Sequence, residues 1–150
     1  MLDGQIFKGE NAMRKVLRNL SFLVAASLAA PGVHAARAAP IQNYENLPAA
    51  STSGKPLTAD QVKKAIISGA ATRQWVASLQ PGNIVRLTYT ARDHSAVVDV
   101  AYSENSYSIR YADSTNLNYS QDGGKAVIHP NYNKWINNLR QAIDVALRGA

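Results

Sequence analysis

The stretch from Gln74 to Tyr119, QWVASLQPGNIVRLTYTARDHSAVVDVAYSENSYSIRYADSTNLNY, decides the fold. Val, Ile, Thr and Tyr recur in it with polar residues between them, and short polar breaks interrupt the pattern, as in consecutive antiparallel strands. Glu104-Asn105 is the natural two-residue turn between two alternating segments. Closing the chain there so that Ser103 faces Ser106 sets Tyr102 opposite Tyr107, Val100 opposite Ile109 and Val98 opposite Tyr111. These six apolar or aromatic residues then share one face, and a slip of one residue would scramble both faces.

The preceding hairpin turns at Arg92-Asp93. Pairing Ala91 with His94 puts Val85 opposite Val100, Leu87 opposite Val98 and Tyr89 opposite Ala96. On the other face Asp99 falls between Arg86 and Arg110, one row across three strands. Two readings fit that row: an aspartate orienting two guanidinium groups toward an anion, or an ordinary cross-strand ion-pair row in solvent, which is the commoner arrangement.

Pro81-Gly82 marks another turn and makes Trp75 to Leu79 an additional strand, with the face of Trp75 left open by the loop length. Ala112 to Tyr119 is rich in turn-forming Asp, Ser and Asn, and Asn116, Leu117 and Tyr119 are candidates for a short edge strand. Gln121 to Lys125 reads as a loop and Ala126 to Ile128 as a brief strand. After His129, Pro130 suits the first turn of a helix. Tyr132, Trp135, Ile136, Leu139, Ile143, Ala146 and Leu147 recur at spacings of 3 and 4 and form one apolar face. With Trp135 in the core, its replacement by alanine should cost about 3–5 kcal/mol.

Nearer the N-terminus, Thr58 with Gln61 has the capping-box pattern, and Asp60 suits a first helical turn. Val62, Ala65 and Ile66 follow at helical spacing, with Gly69 as the expected stop. The fold class read from these elements is α+β: an antiparallel β-meander of about four strands packed against a C-terminal helix, with a short N-terminal helix.

The chain has 150 residues, enough for one domain, and 46% of them are hydrophobic, enough for a core. It contains no cysteine, which excludes disulfides, thiolate metal sites, a cysteine nucleophile and a lipid-modified cysteine. Residues 13–35 have the layout of a signal peptide. Arg14, Lys15 and Arg18 form the positive region, Leu20 to Ala30 is an apolar run of 11 residues, and cleavage is expected after Ala35 or Ala38. The run is shorter than the roughly 20 residues that cross a bilayer core. Residues 1–12 fit poorly in front of such a signal and read as an upstream extension, with Met13 the natural start.

Residues 36–56 read as a flexible linker rich in Ala, Pro, Ser and Gly, and residues 57–150 as a single domain. Over residues 36–150, 12 Lys and Arg stand against 8 Asp and Glu, a net charge of +4. That balance suits plain solubility, and anionic envelope polymers at least as well as nucleic acid.

Two motifs carry a resemblance. The first is Tyr107, Ser108, Ile109, Tyr111, Asp113, Ser114, Asn116, Leu117 and Tyr119; the second is Ile128, His129, Asn131, Tyr132, Asn133 and Trp135. In this succession the chain resembles a group of small exported bacterial proteins and lipoproteins with Y-S-I-x-Y-x-D-S-x-N-L-x-Y and I-H-x-N-Y-N-x-W motifs. The resemblance covers about residues 75–143 and implies an exported α+β domain, but it brings no activity with it. The chain departs from the lipoprotein members in lacking the cysteine for lipid attachment.

The motif residues offer a candidate ligand site: Tyr111, Asp113, Ser114, Asn116, Tyr119, His129, Asn131 and Tyr132, where the last strand and the helix start meet. The commoner arrangement at such a junction is a buried network of Asx turns and caps joining loop to helix, with His129 hydrogen-bonded inside it and Asn and Ser capping backbone. His94 and His129 are the histidines that remain after signal removal. Ser95 beside His94 makes no triad, and no metal-ligand spacing is present. No cofactor, metal or nucleic-acid partner is expected, because no basic run and no phosphate-cradling glycine loop occur. The expected function is a periplasmic or secreted, non-catalytic envelope module that binds a partner or small ligand or is structural. The alternative is a small hydrolase-like enzyme using His129 and Asp113.

Overall fold

The computed structural model describes residues 37–150. The expected extension at 1–12 and signal peptide at 13–35 lie outside the described residues. The elements are β1 (Ala39–Pro40), β2 (Tyr44–Pro48), α1 (Ala59–Ala71), β3 (Val76–Gln80), β4 (Ile84–Ala91), β5 (His94–Tyr102), β6 (Ser106–Thr115), β7 (Ser120–Asp122), β8 (Lys125–Ile128) and α2 (Pro130–Arg148). Five strands form one antiparallel sheet in the order β2-β6-β5-β4-β3, and three form a second in the order β1-β8-β7. The fold is α+β, with the meander β3 to β6 at its centre.

Both central hairpins have the register their alternation dictates. Tyr102 pairs with Tyr107, Val100 with Ile109 and Val98 with Tyr111, while Val85 pairs with Val100, Leu87 with Val98 and Tyr89 with Ala96. Val85, Leu87, Val98, Val100, Tyr107 and Ile109 are all buried, in one cluster with Tyr132, Ile136, Leu139, Ile143 and Leu147 of α2 and Val62 and Ile66 of α1. Each large side chain so buried contributes about 1.5–3 kcal/mol. The β3–β4 pairing of Ala77 with Leu87 and Leu79 with Val85 fixes the face of Trp75, which turns to the helix side and is buried.

The segment expected to be a flexible linker is instead built into the domain. β1 pairs with β8, and β2 adds to the sheet beside β6, with Tyr44 opposite Ile109 and Leu47 opposite Tyr107. A register shift lies between those two residues, where Asn46 has a φ of +51°. This bulge spaces the inward residues three apart, so a two-residue alternation never appears in the sequence. Further on, Thr52 donates its N–H (3.2 Å) and Oγ1 (2.8 Å) to the Arg148 carbonyl, covering a C-terminal carbonyl of α2 that no helical N–H can reach.

Helix α1 begins with the Thr58–Gln61 capping box and runs past the expected stop at Gly69 to Ala71. Gly69 lies inside the helix because α2 crosses there: a Cβ at Gly69 would come within 2.7 Å of the Ala142 carbonyl oxygen. The helix ends with the N–H of Trp75 on the Ala70 carbonyl (3.1 Å) and that of Gln74 on the Ala71 carbonyl (3.0 Å). This is a Schellman ending, with Gln74 at a φ of +64° in the place usually given to glycine.

Two further expectations change. The edge strand proposed at Asn116 to Tyr119 gives way to β7, because Asn116 and Asn118 take φ values of +56° and +51° that break an extended chain. The salt-bridge row is divided. Arg86 donates Nε and Nη2 to the two oxygens of Asp99 (both 2.8 Å), while Arg110 makes the same fork with Glu45 on β2 (2.8 and 2.6 Å). Each guanidinium takes its own carboxylate once β2 supplies a second one, because two parallel N–H···O bonds to one carboxylate outweigh sharing. The Arg110 guanidinium holds Glu45 below the usual carboxylate range.

Candidate functional site

The tyrosine-rich end of the domain has an unusual strand at its base. A register shift in the β5–β6 pairing between Val97 and Val98 places Tyr111 opposite Val98 and Ser114 opposite Ala96, both on the core side. Residues three apart in a regular strand point to opposite faces. The bulge reverses this and brings the Tyr111 hydroxyl to 3.0 Å from Ser114 Oγ. Tyr119 stacks on Tyr111 (4.9 Å between centroids, 8° between planes) and Tyr132 meets it edge-on (5.6 Å, 71°). Tyr111, Ser114, Tyr119 and Tyr132 are therefore one contact group.

Of the other four candidates, Asp113, Asn116 and His129 each spend a side-chain polar atom on backbone, and Asn131 supplies only its backbone N–H. Asp113 Oδ1 accepts from the Ser114 N–H (2.8 Å), and Asn116 Nδ2 donates to the Asp93 carbonyl in the β4–β5 turn (2.6 Å). His129 is the N-cap of α2: its Nδ1 accepts the Asn131 N–H (3.1 Å), and its own N–H goes to the Leu117 carbonyl (2.8 Å). The nearby Asn133 bridges α2 to the segment joining β1 and β2, donating to the Pro40 carbonyl (2.9 Å) and accepting the Gln42 N–H (3.0 Å). Asx turns and caps thus join loop to helix here. Among the described residues no group of His, Asp and Glu could hold a metal ion, and no helix is long and apolar enough to cross a membrane.

One hydroxyl in this region has no partner. Tyr132 is fully buried and its OH makes no hydrogen bond among the described residues. Burial, with Tyr111 beside it, pushes its phenol well above the ordinary tyrosine range. Toward the other end of α2, the buried Tyr107 donates to Asp144, which also takes a bond from Arg140 Nη1 (2.7 Å). Burial first, then the Asp144 carboxylate, raises Tyr107 strongly as well.

An open concavity lies elsewhere, where α1 ends against β4 and α2. A cleft of about 300 Å³ is lined by Thr72, Arg73, Gln74, Trp75, Tyr89, Trp135 and Asn138. Trp75 and Tyr89 have ring centroids 5.3 Å apart, and Tyr89 and Trp135 lie 5.0 Å apart at 63°. Trp75 is buried and forms the floor; Tyr89 and Trp135 are half-buried and form walls. Trp135 thus lies partly exposed at this cleft, not in the core as its place in the helical stripe suggested. Arg73, Gln74 and Asn138 are exposed at the rim, and Arg73 forms no ion pair among the described residues. A second groove, between α1 and α2, continues from the first and shares Thr72 and Arg73 with it.

Sequence reading named none of these as site residues, since positions 73–75, 89 and 135–138 come from three separate elements. No local signal marked Gln74: with the helix expected to stop at Gly69, its left-handed conformation shows only in the structure. A non-glycine residue held at positive φ is often found where a side chain is needed. Chemically, the cleft offers aromatic faces, side-chain amides and a guanidinium with no acidic partner among the described residues. Comparison of the chain with protein-family models, curated proteins and solved structures finds no match.

Proposed function

We propose that this chain is an exported, non-catalytic binding module of the bacterial envelope, and that it binds through the cleft lined by Trp75, Tyr89 and Trp135. The observation that carries the reading is this aromatic concavity at a strained turn. Gln74 occupies a left-handed conformation costing about 1–2 kcal/mol, and its side chain is on the rim. An aromatic floor with a few polar groups at its edge is the usual build of a small-ligand site.

The N-terminal signal pattern supports export to the periplasm or medium. Cleavage after Ala35 or Ala38 would keep every described strand, since β1 starts at Ala39. The hydrolase alternative would need His129 and Asp113 as free acid-base groups. His129 Nδ1 and an Asp113 oxygen instead hold backbone N–H groups, which favours binding over catalysis.

The test is co-sedimentation of the exported protein with isolated cell envelopes. The wild type and a His129→Ala/Asp113→Ala variant should pellet, whereas Trp135→Ala should stay in the supernatant. Equal pelleting of Trp135→Ala would overturn the assignment of the cleft.

A further inference from the structure

The lining of the cleft is selective about ligand chemistry. Trp75, Tyr89 and Trp135 would form an attractive cage for a cation, but Arg73 at the same rim opposes one. A wholly apolar ligand would strip water from Arg73, Gln74 and Asn138 without replacing its hydrogen bonds. A flat aromatic ligand could stack on only one of these walls at a time, since the Tyr89 and Trp135 rings are inclined at 63°, and its ring would leave the rim amides without partners. What remains is a ligand with an apolar face, several hydroxyls and a negative charge.

We infer that the cleft takes a carboxylated sugar; this rests on the reading of the cleft as the working surface. The C–H face of a pyranose ring lies against Trp135 and Tyr89. Its hydroxyls, each both donor and acceptor, match the side-chain amides of Gln74 and Asn138, which also do both. Its carboxylate pairs with Arg73, whose planar fork fits two oxygens and has no acidic partner among the described residues. The adjoining groove between α1 and α2, reached past Thr72 and Arg73, gives a second sugar unit room to follow the first.

Both tryptophans of the chain, Trp75 and Trp135, line this cleft, so intrinsic fluorescence reports on it directly. The full exported protein is titrated with glucuronic acid, with glucose and with indole-3-acetate. Glucuronic acid should give a saturable change, and glucose should bind about tenfold or more weaker, as expected for loss of a charged hydrogen bond. Arg73→Gln, at an exposed position where folding is not at stake, should abolish that preference for the acid. Equal binding of glucose and glucuronic acid, or a preference that survives in Arg73→Gln, overturns the role of the carboxylate. Binding of indole-3-acetate with no response to either sugar overturns the sugar class and leaves the cleft as a binding site. No response to any of the three overturns the inference, while envelope co-sedimentation decides the cleft's function separately.

Discussion

Gly69 on α1 and Ala142 on α2 approach so closely that a methyl group on Gly69 would lie 2.7 Å from the Ala142 carbonyl oxygen and 2.9 Å from the Ile143 Cα. Both obstacles are backbone, so relief requires the helices to separate. Gly69→Ala is therefore expected to lower stability by about 1–3 kcal/mol. It does so although helix propensity alone favours alanine by roughly 1 kcal/mol. A urea midpoint at or above wild type would show that the helices part freely.

Tyr132 and Tyr107 are both buried phenols in the core, but their hydroxyls fare differently. Tyr132→Phe removes a hydroxyl with no partner and should raise stability by about 1 kcal/mol. Tyr107→Phe removes the donor to Asp144 and should lower it by about 1–3 kcal/mol. Thermal melts of the two variants check the opposite signs.

Their titration sets the alkaline limit. Both phenols are raised above their ordinary range in the fold. The folded state therefore holds protons that the unfolded chain releases near pH ~10. Their contribution is complete below that value and falls as pH rises through it. Stability should decline above pH ~10, and less steeply in the double phenylalanine variant. On the acid side, bonds from Lys63 and then Lys64 hold Asp60 down to about 2, so its contribution is present above the ordinary aspartate range and is lost as pH falls toward 2. Chemical denaturation across pH measures both limbs.

Gln74 holds the αL position of a helix ending in which glycine carries no Cβ penalty. Gln74→Gly should raise stability by about 1 kcal/mol while weakening envelope retention. A fall in melting temperature would show that the glutamine side chain stabilises the turn.

Residues 39–52 are held by backbone bonds: the Ile41 N–H to the Ala126 carbonyl (3.0 Å) and the Ala49 N–H to the Asn105 carbonyl (2.9 Å). In hydrogen exchange these two amides should be protected, as those of β6 and α2 are, rather than exchanging at the rate of a free chain. Random-coil exchange at Ile41 and Ala49 would restore the linker.

The two ion pairs on the outer face are separate, and double-mutant cycles should show this. Arg86 should couple to Asp99 and Arg110 to Glu45, with no coupling between Asp99 and Arg110. Coupling of Asp99 to Arg110 would revive the three-residue row.

Much of the fold was legible in the chain itself. The hairpin at Glu104-Asn105, the pairing of Val85 with Val100, the Thr58 capping box and the Pro130 helix all depend on neighbours within a few residues or on strict alternation. One-dimensional patterns carry such information directly, because they state which face a side chain occupies. Tertiary structure alone decided which partner each face meets. It brought Glu45 to Arg110 across a bulged edge strand, set Gly69 against α2, and left Trp135 at a cleft assembled from the end of α1, β4 and α2. A bulge breaks periodicity, and a helical stripe does not say which of its residues lie over the sheet and which beyond its margin. Those distinctions arise only when distant elements pack, so the cleft around Tyr89 had to be found in three dimensions, whereas the network of caps and Asx turns around His129 was one of the two readings the sequence offered.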